Sequence, residues 1–154
     1  MGLIAQRLAE LGLALPEAPK PVAAYVPAVR AGNLIFVSGQ IPLTGGELPS
    51  RGPVPSGTSV EAAQAGARQC ALNGLAIIRD ELDGDLDRVR RIVRLGIYVA
   101  SEAGFTEQAK VANGASELLV DVFGENGRHA RAAVGSIGLP LDAPVMVEMV
   151  VEVE

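Results

Sequence analysis

The stretch Ala31-Gly32-Asn33-Leu34-Ile35-Phe36-Val37-Ser38-Gly39-Gln40-Ile41-Pro42 decides how this chain is read. Gly32 and Asn33 tolerate positive φ and mark a tight turn. The apolar run Leu34 to Val37 that follows is rich in strand formers and continues as a strand to Gln40. Upstream, Ala23 to Val29 reads as its hairpin partner. A glycine inside a strand, here Gly39, marks a place where ligand or another subunit approaches the backbone closely.

Toward the N-terminus, Leu3, Ile4, Leu8 and Leu11 recur at helical spacing, which predicts a short amphipathic helix over residues 3–12. Leu15-Pro16 ends it, and Pro16, Pro19 and Pro21 make an extended connector. Toward the C-terminus, Pro42 to Gly57 is a Gly-, Pro- and Ser-rich loop. Thr58-Ser59-Val60-Glu61 reads as a capping box opening a helix of about 24 residues, with Ala67, Ala71, Gly74, Leu75, Ile78 and Leu82 as its buried stripe. Cys70 lies beside that stripe and reads as a small buried hydrophobe. Asp83-Gly84-Asp85 breaks the chain. Val89 to Val99 is a strand with Val93, Leu95, Ile97 and Val99 on one face and Ile92, Arg94, Gly96 and Tyr98 on the other. A second helix runs from Thr106 to Phe123, with Val111, Ala115, Leu118, Leu119 and Val122 as its apolar face, and Gly124 to Gly127 closes it. Strands follow at Ala130 to Ser136 and Val145 to Val153, separated by a turn over Pro140 to Pro144. In the last strand Val145, Val147, Met149, Val151 and Val153 alternate with Met146, Glu148, Val150 and Glu152.

The order helix, β, β, α, β, α, β, β predicts one α+β domain over residues 1–154, with two helices on one face of a mixed sheet and an extra N-terminal helix. Two helices cover one face only. The other face, with apolar and mixed residues such as Ile92, Tyr98, Met146 and Val150, needs a partner in water, so a homo-oligomer is expected.

Composition narrows the function. One cysteine excludes an internal disulfide and a cysteine-based zinc site, and with one histidine no transition-metal site is expected. The net charge is −5, from 13 basic and 18 acidic residues, with three Phe, two Tyr and no Trp. Such a chain lacks the usual means of neutralising phosphates and stacking bases, so no nucleic-acid partner is expected. The one basic concentration, Arg88, Arg90, Arg91 and Arg94, reads as a solvated strand edge or a subunit contact. No apolar stretch is long enough to span a bilayer. The N-terminus lacks the features of a signal peptide, and Gln6 stands where a myristoylation signal wants Ser or Thr. A cytoplasmic protein is expected. The glycines of Thr44-Gly45-Gly46 and of Gly52 to Gly57 lack the pattern of a phosphate-binding loop.

The string Gly32-Asn33-Leu34-Ile35-Phe36-Val37-Ser38-Gly39-Gln40-Ile41-Pro42 resembles the signature of the Rid/YjgF family, once labelled "endoribonuclease, liver perchloric-acid-soluble protein type". Val122-Phe123-Gly124, Ala130-Arg131-Ala132-Ala133-Val134, Leu139-Pro140 and Val147-Glu148 add to the likeness, which covers residues 20–154. The helix over residues 1–16, and extra residues around Ala103 to Lys110, lie outside the common core. The resemblance implies a fold like bacterial chorismate mutase and a homotrimer with small-metabolite clefts at subunit boundaries. It also implies cofactor-free hydrolysis of enamines or imines derived from amino acids. In members with that activity an arginine before the Leu-Pro pair clamps the substrate carboxylate, and a glutamate on the last strand positions water. A tyrosine and the Ser-Gly backbone line the cleft.

Carried over residue by residue, the resemblance makes Tyr25 and Glu148 catalytic and Ser38 and Gly39 cleft-lining. The family's helix-2 asparagine falls at Asn113 or Ser116. The clamp position falls at Gly138, which has no side chain. Arg131 is the nearby ligand-binding candidate to replace the clamp, but it lies seven residues from Gly138, and an odd separation in an unbroken strand places the two on opposite faces unless a bulge intervenes; Arg128 or an arginine of a neighbouring subunit stays open as a replacement. Three readings stand: a ligand-binding trimer without the clamp, a deaminase-type hydrolase using Glu148 and water, and an endoribonuclease. Acidic charge, a single histidine and the lack of a basic groove count against the third. His129 shows no partnership with Ser38 that would make a hydrolase triad.

Overall fold

The computed structural model describes residues 1–21 and 23–154. Its helices are α1 (Leu3–Glu10), α2 (Val60–Glu81) and α3 (Gln108–Phe123), and its strands are β1 (Ala28–Ala31), β2 (Leu34–Gln40), β3 (Val89–Ala100), β4 (Ala130–Ser136) and β5 (Val145–Val153). They form one mixed sheet in the order β1-β2-β5-β3-β4. All neighbours are antiparallel except β3 and β4, which run parallel because α3 connects them as a crossover.

The β1–β2 turn has Gly32 alone at φ +60°, with Asn33 outside the left-handed region. The pattern is that of a type II′ turn, which matches the twist of the strands. The partner strand begins later than the sequence suggests. Residues 23–25 form a bend in which Tyr25 N donates to Ala23 O at 2.9 Å. Pro27 has no N–H to offer β2, and its carbonyl accepts from Ser38 N at 2.9 Å, so pairing starts at Ala28. In β2, Val37 pairs with Met149 and Gln40 with Val147, so the strand holds one extra residue at Ser38-Gly39.

The core lies between the sheet and the pair α2 and α3. Ile35, Leu75, Ile78, Leu82, Ile92, Leu95, Leu118, Leu119, Val147 and Val151 are all inaccessible to solvent. Each such aliphatic side chain contributes about 1.5–3 kcal/mol by leaving water. The expected stripes of α2 and α3 are buried in full, and Cys70 is enclosed with them. Burial pushes the Cys70 thiol far up from its ordinary value, so it is no nucleophile. Glycines set the layer spacing. A Cβ at Gly66 would meet Val145 Cγ1 at 3.1 Å, and one at Gly114 would collide with the Gln64 carbonyl, so α2 sits low on β5 and α3 close on α2.

Three local expectations are corrected. The N-cap of α2 is Ser59, whose Oγ accepts from Ala62 N at 3.1 Å, while Thr58 turns inward to donate to Arg51 O at 2.9 Å. The capping box on Thr58 and Glu61 is therefore not formed. Ile92 lies on the helix-covered face, not the open one. A bulge at Val93, between the pairs Ile92↔Val151 and Arg94↔Val150, inverts the alternation there. And β3 is no edge strand: it runs between β5 and β4, with Arg90 and Arg91 at its N-terminal end before β4 begins to pair at Arg94.

The N-terminal helix is held by polar contacts. Leu3 N and Ile4 N each donate to the Asp87 carboxylate at 2.8 Å, and Arg7 Nε donates to Asp121 O at 2.8 Å. Leu8 is buried beneath it, whereas Leu3 is exposed. The face of the sheet away from the helices stays open. Val29, Phe36 and Val134 are about half exposed there, beside Met146 and Val150.

Candidate functional site

The residues singled out by sequence fall into three groups. The first lies at the centre of the open face. Gly96 pairs directly with Glu148 across β3 and β5, so Arg94 and Tyr98 are the diagonal neighbours of Glu148. Tyr98 OH donates to Glu148 Oε1 at 3.0 Å, and Arg94 Nη1 lies 3.7 Å from the same oxygen. Gly96 leaves the space: a Cβ there would fall against the Glu148 carboxylate. The carboxylate raises the phenol of Tyr98 above its ordinary value, mainly through the hydrogen bond and then through charge repulsion with a tyrosinate. The cation beside Glu148 is Arg94.

The second group lines a pocket of about 130 Å³ where the β2 bulge meets the turn before β5. Tyr25, Gly39, Met146, Pro140, Leu141 and Lys20 all face it. The bulge explains Gly39: a Cβ at this position would sit 2.8 Å from Met146 Sδ. Ser38 does not open toward ligand. Its Oγ donates to Val26 O at 2.8 Å and fastens the bend that carries Tyr25. Glu148 is two residues beyond Met146 on the same face of β5, outside the pocket wall.

The third group lies between the edge strand β4 and α3. Arg131 projects to the helix side. Its Nη1 donates to Asn113 Oδ1 at 2.8 Å and to Ser116 Oγ at 3.0 Å, and its Nη2 donates to Ala109 O at 3.3 Å. Ser116 also bonds to His129 Nε2 at 2.8 Å. Asn113 and Ser116 thus both belong to one arrangement, and Arg131 joins them. Two guanidinium N–H donors have no partner among the described residues.

Gly138 stands apart. β4 ends at Ser136, Ile137 is fully exposed, and a Cβ at Gly138 would meet nothing within 4 Å. The strand alternation used to oppose Arg131 and Gly138 does not reach position 138. A side chain there would extend into open space.

Tyr98 and His129 are the partners that sequence reasoning did not assign. The signal for Tyr98 was present, since strand alternation put it beside Arg94 and Gly96. For His129 there was none: its contact with Ser116 depends on how α3 lies against the start of β4. Among the described residues no three His, Cys, Asp or Glu side chains gather as a metal site. No helix among them is long and apolar enough to cross a membrane.

Comparison with known proteins agrees with this architecture. The family model described as "YjgF/chorismate_mutase-like, putative endoribonuclease" matches residues 5–153. Protein TCP17 of Trypanosoma cruzi is 45% identical over 152 residues, covering 98% of this chain and 94% of that protein. A RutC family protein of Pyrococcus abyssi is 30% identical over 133 residues, covering 86% and 87%. The crystal structure of Atu1372, a protein of unknown function from Agrobacterium tumefaciens, superposes with a TM-score of 0.92 at 46% identity, covering 98% and 92%. With a family model spanning nearly its whole length and the mixed sheet that goes with it, this chain belongs to the Rid/YjgF family and has its chorismate-mutase-like fold.

Proposed function

We propose that this protein binds a small carboxylate-bearing metabolite in clefts between the subunits of a homotrimer, and that Arg131, rather than position 138, receives the carboxylate. The observation that carries this is the state of the Arg131 guanidinium. It is fixed by three neutral acceptors, so its charge is not neutralised, and it keeps two donors to offer. A rigid planar fork with spare N–H groups suits a carboxylate. Trimer formation is supported by the apolar open face, where Phe36 and Val134 are too exposed for a solvated sheet. The proposal calls on no cofactor or metal.

Titration of pyruvate by calorimetry tests it. Saturable binding is expected in wild type, weakened at least about tenfold in Arg131→Met, since hydrogen bonds to a charged group are worth about 1.5–3 kcal/mol. Unchanged affinity in that variant would remove Arg131 from the site. A monomer mass by sedimentation at micromolar concentration would remove the clefts.

A second reading takes Glu148, held by Tyr98 over Gly96, as the group that orients water in a deaminase-type hydrolysis of enamines or imines. Its test is keto-acid release from an enamine generated by a serine or threonine dehydratase. Acceleration that disappears in Glu148→Ala supports the hydrolase. An endoribonuclease is not favoured: Arg90 and Arg94 are paired with Glu154 and Glu148, which leaves less basic surface for a phosphate backbone.

A further inference from the structure

The group around Arg131 holds one residue that the proposed role leaves idle. His129 Nδ1 lies 2.6 Å from Gly127 O and Nε2 lies 2.8 Å from Ser116 Oγ. A carbonyl only accepts, so Nδ1 carries a proton. In the neutral ring Nε2 is then an acceptor. It takes the Ser116 hydroxyl proton and orients the Ser116 oxygen toward Arg131 Nη1 at 3.0 Å. The result is one directed chain, from Arg131 to Ser116 to His129 to Gly127.

The groups facing the ring are few. Ser116 comes from α3, Arg131 from β4, and the Gly127 carbonyl from the turn before it. On that turn Glu125 and Arg128 are paired with each other at 3.0 Å. Burial disfavours the imidazolium, and the Arg131 charge one hydroxyl away disfavours it further, against the opposing pull of the Gly127 carbonyl. With Arg131 bare, His129 is held below its ordinary value.

We propose that His129 is a positioning residue of the Arg131 site, acting through Ser116, and that a carboxylate seated on Arg131 draws a proton onto it, so that the site selects anions over neutral ligands. This rests on Arg131 being the anion-recognising group. The carboxylate offsets the charge that opposed the imidazolium. The liganded protein therefore binds more protons than the free one, and affinity rises as pH falls through the His129 titration, levelling off below the free value. A 2-oxo acid stays ionised throughout, so the dependence belongs to the protein.

The chain has one histidine, so a single imidazole resonance reports the event without ambiguity. Proton NMR titration of wild type is expected to place His129 below its ordinary value when free and to move it upward by at least about half a unit under saturating pyruvate. Pyruvate binding by calorimetry should tighten about three- to tenfold between pH 7.5 and pH 5, and pyruvamide should not show this gain. His129→Gln, which can still accept from Ser116 but does not titrate, should lose the pH dependence of pyruvate binding. An imidazole resonance unmoved by pyruvate, with binding still weakened at least about tenfold in Arg131→Met, overturns the role of His129 and spares that of Arg131. A pH dependence retained in His129→Gln overturns it as well. Pyruvate affinity intact in Arg131→Met overturns the anion site itself.

Discussion

Two arginines, one on each side of the sheet, are held in opposite ways. Arg94 lies on the open face with a carboxylate 3.7 Å away and half its side chain in solvent. Arg131 lies on the helix side and bonds only to an amide oxygen, a hydroxyl and a backbone carbonyl. A guanidinium beside a carboxylate has its field largely cancelled, whereas one held by neutral acceptors is fixed without being neutralised. The contrast assigns different work to the two: Arg94 steadies Glu148, and Arg131 keeps charge and donors for something else.

The largest effect on this contrast is expected from Gly114→Val. The new side chain would meet the Gln64 carbonyl and push α3 away from α2, carrying Asn113 and Ser116 with it. Overpacking of this kind should cost about 3 kcal/mol in chemical denaturation and loosen Arg131 at the same time. Next comes Arg131→Met: at least about a tenfold loss of pyruvate affinity with an unfolding midpoint close to wild type, as the calorimetric titration and a thermal melt would show. A smaller, spectroscopic effect is expected on the open face. Of the two tyrosines, Tyr98 should ionise at higher pH than an ordinary phenol, because ionisation loses the hydrogen bond to Glu148 and sets two negative charges side by side. Glu148→Gln should bring that late step in near-ultraviolet absorbance back toward the usual range. If it stays late, the Tyr98–Glu148 contact does not govern it. The smallest effect belongs to Arg94→Ala, which should leave pyruvate affinity within about twofold, as expected for an exposed ion pair of about 0–1 kcal/mol. A loss equal to that of Arg131→Met would erase the distinction between the two arginines.

Much of the fold was legible because strand periodicity is local. The limits of β2, β4 and β5 agree with the alternation of their residues, and the faces of β5 were read correctly along its whole length. Bulges were not legible. An extra residue at Val93 changes no composition, yet it carries Ile92 from the open face to the core. The limit of β1 was obscured because Tyr25 and Val26 look like strand residues, while the missing N–H of Pro27 decides otherwise.

For the candidate site, the side chains singled out by sequence have neighbours that a single sequence does not display. Asn113, Ser116 and Arg131 were each singled out, but their meeting depends on where α3 crosses β4. Alternation sets Arg131 opposite Gly138 only along an unbroken strand, and β4 ends at Ser136. Glu148 was correctly placed on the open face. Which arginine stands beside it followed from the register of β3 against β5, which a single sequence does not display.

The enclosure of Cys70 has a practical side. The chain's one thiol is sealed beneath α2, so thiol-reactive dyes meet a surface without competing cysteines. A cysteine introduced at Val134, half exposed on the open face, would be the one site labelled in the folded protein. Its fluorophore would then report whether another copy of the chain covers that face, with no background to subtract.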